Sequence, residues 1–248
     1  MGGRSGAVSQ TEEKLSQIQL TASTFGVPYT LAYGRNRVSL ALLQYEDFTA
    51  TEHTTKSGGG GKGGGGAPKN TSFTYSAAVV LMVCEGPGID ISLVYQDKAQ
   101  MTYAALGFTL FNGAINQATW SYLTTQHPTR AIAYPSTAIL VNGSLELGSG
   151  ASFPQISCEV RGLNADVAIG YDAHPDDILL DYCTHAVHGC NFPYLDATTL
   201  NTFGEYCTAM GFNLSPVEKT QRPAKEFIDE ILRICNSFAV KSGAVLKI

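Results

Sequence analysis

The sequence predicts an α+β, strand-rich protein: an N-terminal β domain that contains a long glycine-rich loop, followed by a helical α+β segment ending in a β-hairpin. Three observations carry that expectation. From Ile18 to about residue 170, short runs of β-branched and aromatic residues alternate with polar positions and are punctuated by Gly, Pro and Asn-Gly turns. Beyond Tyr171 the apolar residues recur at helical spacing instead. The final stretch, AVKSGAVLKI, is two short apolar runs on either side of Lys241-Ser242-Gly243.

Residues 1–17 are small and polar and read as an arm with no core of its own. The β domain spans 18–170. It opens with IQLTASTFGVPYTLAYGRNRVSLALLQYEDFTATEHTT, where Gly26, Pro28 and Gly34 interrupt strand-like alternation. After the glycine tract, TSFTYSAAVVLMVCEGPG places Phe73, Tyr75 and Ala77 on one parity before a wholly apolar run to Cys84. Two strands joined by a long loop, 57–67, account for that pattern. ISLVYQD, FTLFN, AILV, LEL and PQISCEV are further short strands, with Asn112-Gly113 and Asn142-Gly143 as turns. Between them QATWSYLTTQHPTR predicts a short helix that Pro128 ends, anchored by Trp120.

The region 171–248 reads as three helices and the hairpin. In DAHPDDILLDYCTHAVHG, Pro175 suits the first helical position, Asp176 and Asp177 favour the positive helix start, and Gly189 suits the stop. ATTLNTFGEYCTAMG aligns Leu200, Phe203, Cys207 and Met210 and is closed by Gly211. PAKEFIDEILRICNSF sets Phe227, Ile231, Ile234 and Phe238 on one stripe, with Ile228, Leu232 and Cys235 beside it. A chain that ends on a strand is expected to continue in a longer product.

Composition narrows the function. Of 248 residues 44% are apolar but only 15% charged, against about 25% in an average soluble protein, which suits a subunit largely covered by neighbours. A net charge of −5 offers no footprint for sequence-specific nucleic-acid binding. No signal peptide and no membrane span are expected, because neither a leader-type apolar run nor a long uninterrupted one occurs. Six irregularly spaced cysteines, Cys84, Cys158, Cys183, Cys190, Cys207 and Cys235, read as reduced thiols made in a cytoplasm.

The candidate chemistry is sparse. In the tract Gly58, Gly59, Gly60, Gly61, Lys62, Gly63, Gly64, Gly65, Gly66, the lysine is followed by glycine rather than the Ser or Thr that a phosphate-binding loop needs for magnesium. A flexible linker and a packed contact loop compete there, since glycine permits close backbone approach. Cys183, His185, His188 and Cys190 resemble zinc ligands, but on one helix His185 lies about 200° from Cys183, so they do not converge. Cys183, Cys190, Cys207 and Cys235, drawn from several elements, offer an iron–sulfur alternative to inert buried thiols. Asp172, Asp176 and Asp177 are explained by a helix start, and Glu46, Asp47, Glu52 and His53 by an exposed strand edge. No nucleophile elbow or metalloprotease motif is present, so no catalytic centre and no cofactor are expected.

The ordered series IQLTASTFGVPYTLAYGRNRV, LQYEDFTATEHTT with the glycine–lysine tract, FTYSAAVVLMVCEGPG, LGFTLFNG, HPTRAIAYPSTA, LELGSGASFPQISCEVRGL, DAHPDDILLDYCT and QRPAKEFIDEILRICNSFAVKSGAVLKI resembles the N-terminal region of phage tail-tip (baseplate) hub proteins. These are the large tail-tip proteins of long-tailed phages and gene-transfer agents. The resemblance implies a homotrimeric hub in the virion tail tip that closes the tail tube. Its implied partners are the distal tail ring, the tape-measure protein and further tail-tip or receptor-binding chains. It also implies that Gly58–Gly66 is an interface loop, because a glycine–lysine tract recurs there between two strands. A receptor- or carbohydrate-binding tail module and a wall-degrading tail enzyme are the alternatives.

Overall fold

A computed structural model describes residues 12–18, 28–56, 69–96 and 99–248. Its architecture is mixed α+β and rich in strands, as the alternation pattern predicts. In chain order the first elements are β1 (Leu31–Ala32), β2 (Arg35–Ser39), β3 (Ala41–Lys56), β4 (Lys69–Glu85), β5 (Asp90–Gln96), β6 (Ala99–Met101), β7 (Thr109–Asn112), α1 (Ser121–Gln126), β8 (Thr137–Gly148) and β9 (Ile156–Arg161). There follow α2 (Pro175–Thr184), α3 (Ala197–Met210), β10 (Val217–Glu218), α4 (Ala224–Ile234), β11 (Val240–Ser242) and β12 (Val245–Lys247).

The large sheet runs β10-β1-β4-β8-β7, with β3 also paired to β4. β3 and β4 are antiparallel from Ala41↔Met82 out to Lys56↔Lys69, so the glycine tract does fall between two paired strands. β4 lies between β3 and β8, and helices and a second sheet cover its faces, which is why its sequence stops alternating. Val79, Leu81 and Val83 join the main core, whereas Val80 packs on the other face with Ile139, Val141 and Leu123. Leu123 and Trp120 bring α1 onto that second face, as expected of the anchor. In the smaller sheet, β2-β9-β5-β6, the central β9 keeps strict alternation: Ile156, Cys158 and Val160 point inward while Arg35 and Arg161 pair outside with Glu159 and Asp90.

One expected turn is absent. Asn142-Gly143 lies inside β8, so AILV and LEL form one strand with a bulge, where Ala77 faces Leu145 but Val79 faces Asn142. The Asn142 amide donates to the Leu106 carbonyl at 2.9 Å and its oxygen accepts the Ser144 amide at 2.7 Å. These bonds satisfy the bulge in place of a reversal. Asn112-Gly113 does turn the chain: Gly113 has φ 82°, and a Cβ there would sit 2.0 Å from the Gly86 carbonyl oxygen.

The helical region docks on the same core rather than forming an isolated layer. β10 pairs with β1, and Ile178, Leu179, Leu200, Phe203, Phe227, Ile231 and Leu232 share a single apolar cluster with β4 and β8. Asp196 caps α3 by accepting the Thr199 amide at 2.9 Å, and Gly211 ends it at φ 70°. The inferred stripes need correction at their ends. Met210, the last residue of α3, is 56% exposed; Ile234 and Phe238 are exposed at 47% and 75% because the buried arc of α4 is centred on Ile231 and Cys235 and the chain turns away at Asn236, φ 53°. The hairpin is present, with its turn after Ser242.

These packing differences give a direct stability test. Leu140→Ala, at a fully buried position in the main cluster, should cost about 2–5 kcal/mol in denaturant unfolding, whereas Ile234→Ala should stay within about 0.5 kcal/mol.

Candidate functional site

Of the residues singled out in β3, Glu52 and His53 stand exposed on an edge strand as expected, whereas Glu46 and Asp47 are engaged by other elements. Glu46 is only 8% exposed; its Oε2 accepts from Arg130 at 2.9 Å and its Oε1 from Gln44 at 2.8 Å. Asp47 sits at a bulge with φ 50° and accepts from Tyr122 Oη and, at 2.7 Å, from His127 Nε2. The Tyr122 bond, then the His127 bond, hold the Asp47 carboxyl below the usual range, and the same Asp47 contact raises the Tyr122 phenol to about 12. This network ties α1 to the sheet. Glu52 and His53 lie further along the strand, with His53 Nε2 at 2.7 Å from Thr74 Oγ1. Asp172 accepts from Ser215 Oγ at 2.6 Å, and Asp176 is pressed against Gly204 of α3. Asp172 and Asp176 thus serve separate contacts, and Asp176 and Asp177 stand in the first turn of α2 as expected of a helix start.

An enclosed polar constellation forms where α2 ends. The helix stops at Thr184, not at Gly189 as its length in sequence suggested. Beyond it the chain folds back: the Cys190 amide donates to the Tyr182 carbonyl at 2.8 Å and the Phe192 amide to the Cys183 carbonyl at 2.7 Å. A side chain at 189 would collide, since a Cβ would lie 2.6 Å from the Tyr182 oxygen. Gly189 is therefore needed for the reversal itself rather than for the helix stop.

That reversal brings His188 back over α2. Its Nε2 lies 2.8 Å from Asp181 Oδ2, which also accepts from Tyr33 Oη at 2.7 Å. His185 stacks on His188 with centroids 3.6 Å apart, and its Nδ1 accepts the Val187 and His188 amides at 3.2 and 3.3 Å. His185 Nδ1 is consequently unprotonated. The His188 side chain is 2% exposed, and its Nδ1 is buried with no partner among the described residues. The group walls a cavity of about 340 Å³ with Gly88, Leu163 and Asn164.

Electrostatics follow from that burial. Desolvation raises Asp181, but the bonds from His188 and Tyr33 outweigh it and hold the carboxyl below its usual range. Burial, with Asp181 adding to it, pushes the Tyr33 phenol far above its ordinary value. Burial and then His188 lower the His185 imidazole, partly offset by Asp181. Glu85 on β4 is raised by desolvation and feels His188 as well. The site can hold or exchange a proton; among the described residues lining the cavity there is no Ser, Thr, Cys or Lys. Sequence reasoning singled out His185 and His188 but missed Asp181 and Tyr33. The available signal was an aspartate one turn before the end of a helix followed by a glycine reversal.

The glycine tract, Gly58–Gly66 with Lys62, lies outside the described residues. The four cysteines weighed as a cluster are placed in two pairs: Cys183 with Cys190 beside a cavity, and Cys207 with Cys235 in the α3/α4 core. Among the described residues no three His, Cys, Asp or Glu side chains are grouped so as to hold a metal ion, and no helix is long and apolar enough to cross a membrane.

Comparison with solved structures finds a chain from the virion of a native gene transfer agent (GTA) particle, with a TM-score of 0.50 at 15% identity. The alignment covers 93% of this chain and 53% of that one, so the present chain spans about half the length of its structural neighbour. No family model matches the sequence, and no curated protein does. The likeness is one of fold.

The His185 geometry sets a pH dependence. Its folded value lies below the unfolded 6.5, so the unfolded chain binds more protons and the stabilisation is lost as pH falls below about 6.5. Asp181, also depressed, loses its share only as pH falls further, below about 3.8. Urea unfolding between about pH 7.5 and 5.5 should show falling stability, and His185→Gln should flatten that slope. At neutral pH Tyr33→Phe should cost about 1–3 kcal/mol by stripping one donor from Asp181.

Proposed function

We propose that this chain is a structural subunit of a phage-like particle, forming a trimeric hub at the tail tip that closes the tail tube and joins it to the distal tail ring. The observation that carries this reading is the shared fold along 93% of the chain with a component of a gene transfer agent virion. The ordered sequence segments point the same way. So does the β3–β4 hairpin, whose outer pairs from Thr51↔Thr74 to Lys56↔Lys69 extend past the last β4–β8 pair, Tyr75↔Gly148. A ribbon of that kind gains its stability from neighbours.

The chain acts in assembly and not in catalysis, with the distal ring, tube and tape-measure protein as partners and the virion tail tip as its place. Three aromatic side chains of the strand region are engaged within the fold rather than presented for sugar stacking: Phe108 is buried, Tyr95 lies under the Arg37 guanidinium at 3.8 Å, and Trp120 stacks on Tyr122 at 4.8 Å. In this reading Gly58–Gly66 approaches other subunits closely, and Lys62 reaches an acidic or carbonyl partner.

Electron microscopy of particles containing the chain should show a ring of three, with more than about 2,000 Å² buried per contacting pair. A monomer or a sixfold ring in the intact particle overturns the proposal. Replacing Gly60, Gly61, Gly63 and Gly64 by valine should abolish tail formation in negative stain while the isolated chain keeps its circular dichroism. Lys62→Ala should have a milder effect. Normal tails from the valine variant would make the tract a free linker.

A further inference from the structure

The reversal after α2 brings two cysteines to the wall of one cavity. Hydrogen bonds bracket them, from the Cys190 amide to the Tyr182 carbonyl at 2.8 Å and from the Phe192 amide to the Cys183 carbonyl at 2.7 Å. Residues 182–183 and 190–192 therefore run against each other, and both cysteines line one cavity of about 510 Å³ with Phe192, Ile228, Ala239 and Leu246. Chain segments joined by backbone hydrogen bonds approach to α-carbon separations of about 5 Å, and a disulfide spans about 4.4–6.8 Å. Both are free thiols, and Cys190 is the single cysteine not fully buried.

We propose that Cys183 and Cys190 are a disulfide-forming pair, closed by a small-molecule disulfide such as oxidised glutathione. The Cys190 thiolate attacks one sulfur of the oxidant, forms a mixed disulfide and releases one glutathione thiolate. Cys183 then attacks the Cys190 sulfur and releases the second glutathione. The protein gives up two electrons and its two thiol protons, and one oxidised glutathione becomes two reduced ones. Burial raises the Cys190 thiol and pushes Cys183 up to about 12, so the reaction is slow at neutral pH and quickens as pH rises. Closure encloses His185 and His188 in a covalent ring and pins the wall of the Asp181 cavity. Cys84, Cys158, Cys207 and Cys235 are fully buried, which leaves Cys190 as the point of entry.

The test needs only the purified chain. After incubation with oxidised glutathione, denaturation and alkylation, trypsin releases residues 162–219 as one peptide carrying Cys183, Cys190 and Cys207. The expected product has lost two hydrogens and is alkylated at Cys207 alone. Cys183→Ala should stop at a glutathione adduct on Cys190, and Cys190→Ser should give neither adduct nor bond. Full alkylation of all three cysteines, a persistent glutathione adduct on the unaltered chain, or a bond involving Cys207 overturns the proposal.

Discussion

The burial of β4 on both faces is the constraint around which the molecule is organised. From Ala77 to Cys84 no side chain is more than 3% exposed. A strand with no polar face cannot border water on either side, so both faces require apolar cover. The main core supplies one, through the second sheet and the three helices. The α1 segment supplies the other, through Leu123 and Trp120. The Asp47, Tyr122 and His127 bonds do not bury much area themselves, but they fix where that second cover lies.

A different kind of tie joins the helical region to the sheet. Apolar contact between α2, α3, α4 and the strands supplies most of the attraction and is non-directional. Asp181 adds direction. By accepting from Tyr33 on one side and His188 on the other, it ties the residue that follows β1 to the end of α2 and the loop beyond it. Close packing contributes as well: a Cβ at Gly204 would lie 2.4 Å from an Asp176 oxygen, so glycine is what lets α3 lie this near to α2. The surface ion pairs, such as Lys225 with Asp229, contribute little by comparison.

Much of this fold was legible in the sequence because local signals and tertiary packing agree. The two long strands, the short α1 ended by Pro128, the Pro175 and Gly211 helix boundaries and the terminal hairpin all follow from period and turn chemistry. The misread places are those where a distant partner decides. Asn142-Gly143 stays extended because Leu106, far back in the chain, takes the asparagine amide. Glu46 is buried because Arg130 meets it from another element. The polar cluster at the end of α2 was only half visible, since the pairing of Asp181 with His188 depends on a chain reversal and that with Tyr33 on a contact across the fold. Helical geometry rightly separates Cys183 from His185 while the helix continues, but the helix stops at Thr184.

The β3–β4 hairpin also has a mechanical consequence. The six pairs beyond Tyr75, from Thr51↔Thr74 to Lys56↔Lys69, form an arm of about 20 Å at the usual rise per residue. At its root lies the register shift between Glu46 and Thr49. A bulge is the point at which a ribbon bends, so a sideways force on the tip becomes a torque there. Asp47 stands at that pivot and is bound to Tyr122 and His127. The arm is thus a lever whose fulcrum is bonded to α1, and deflection of its tip is felt first as strain on the cover over the second face of β4.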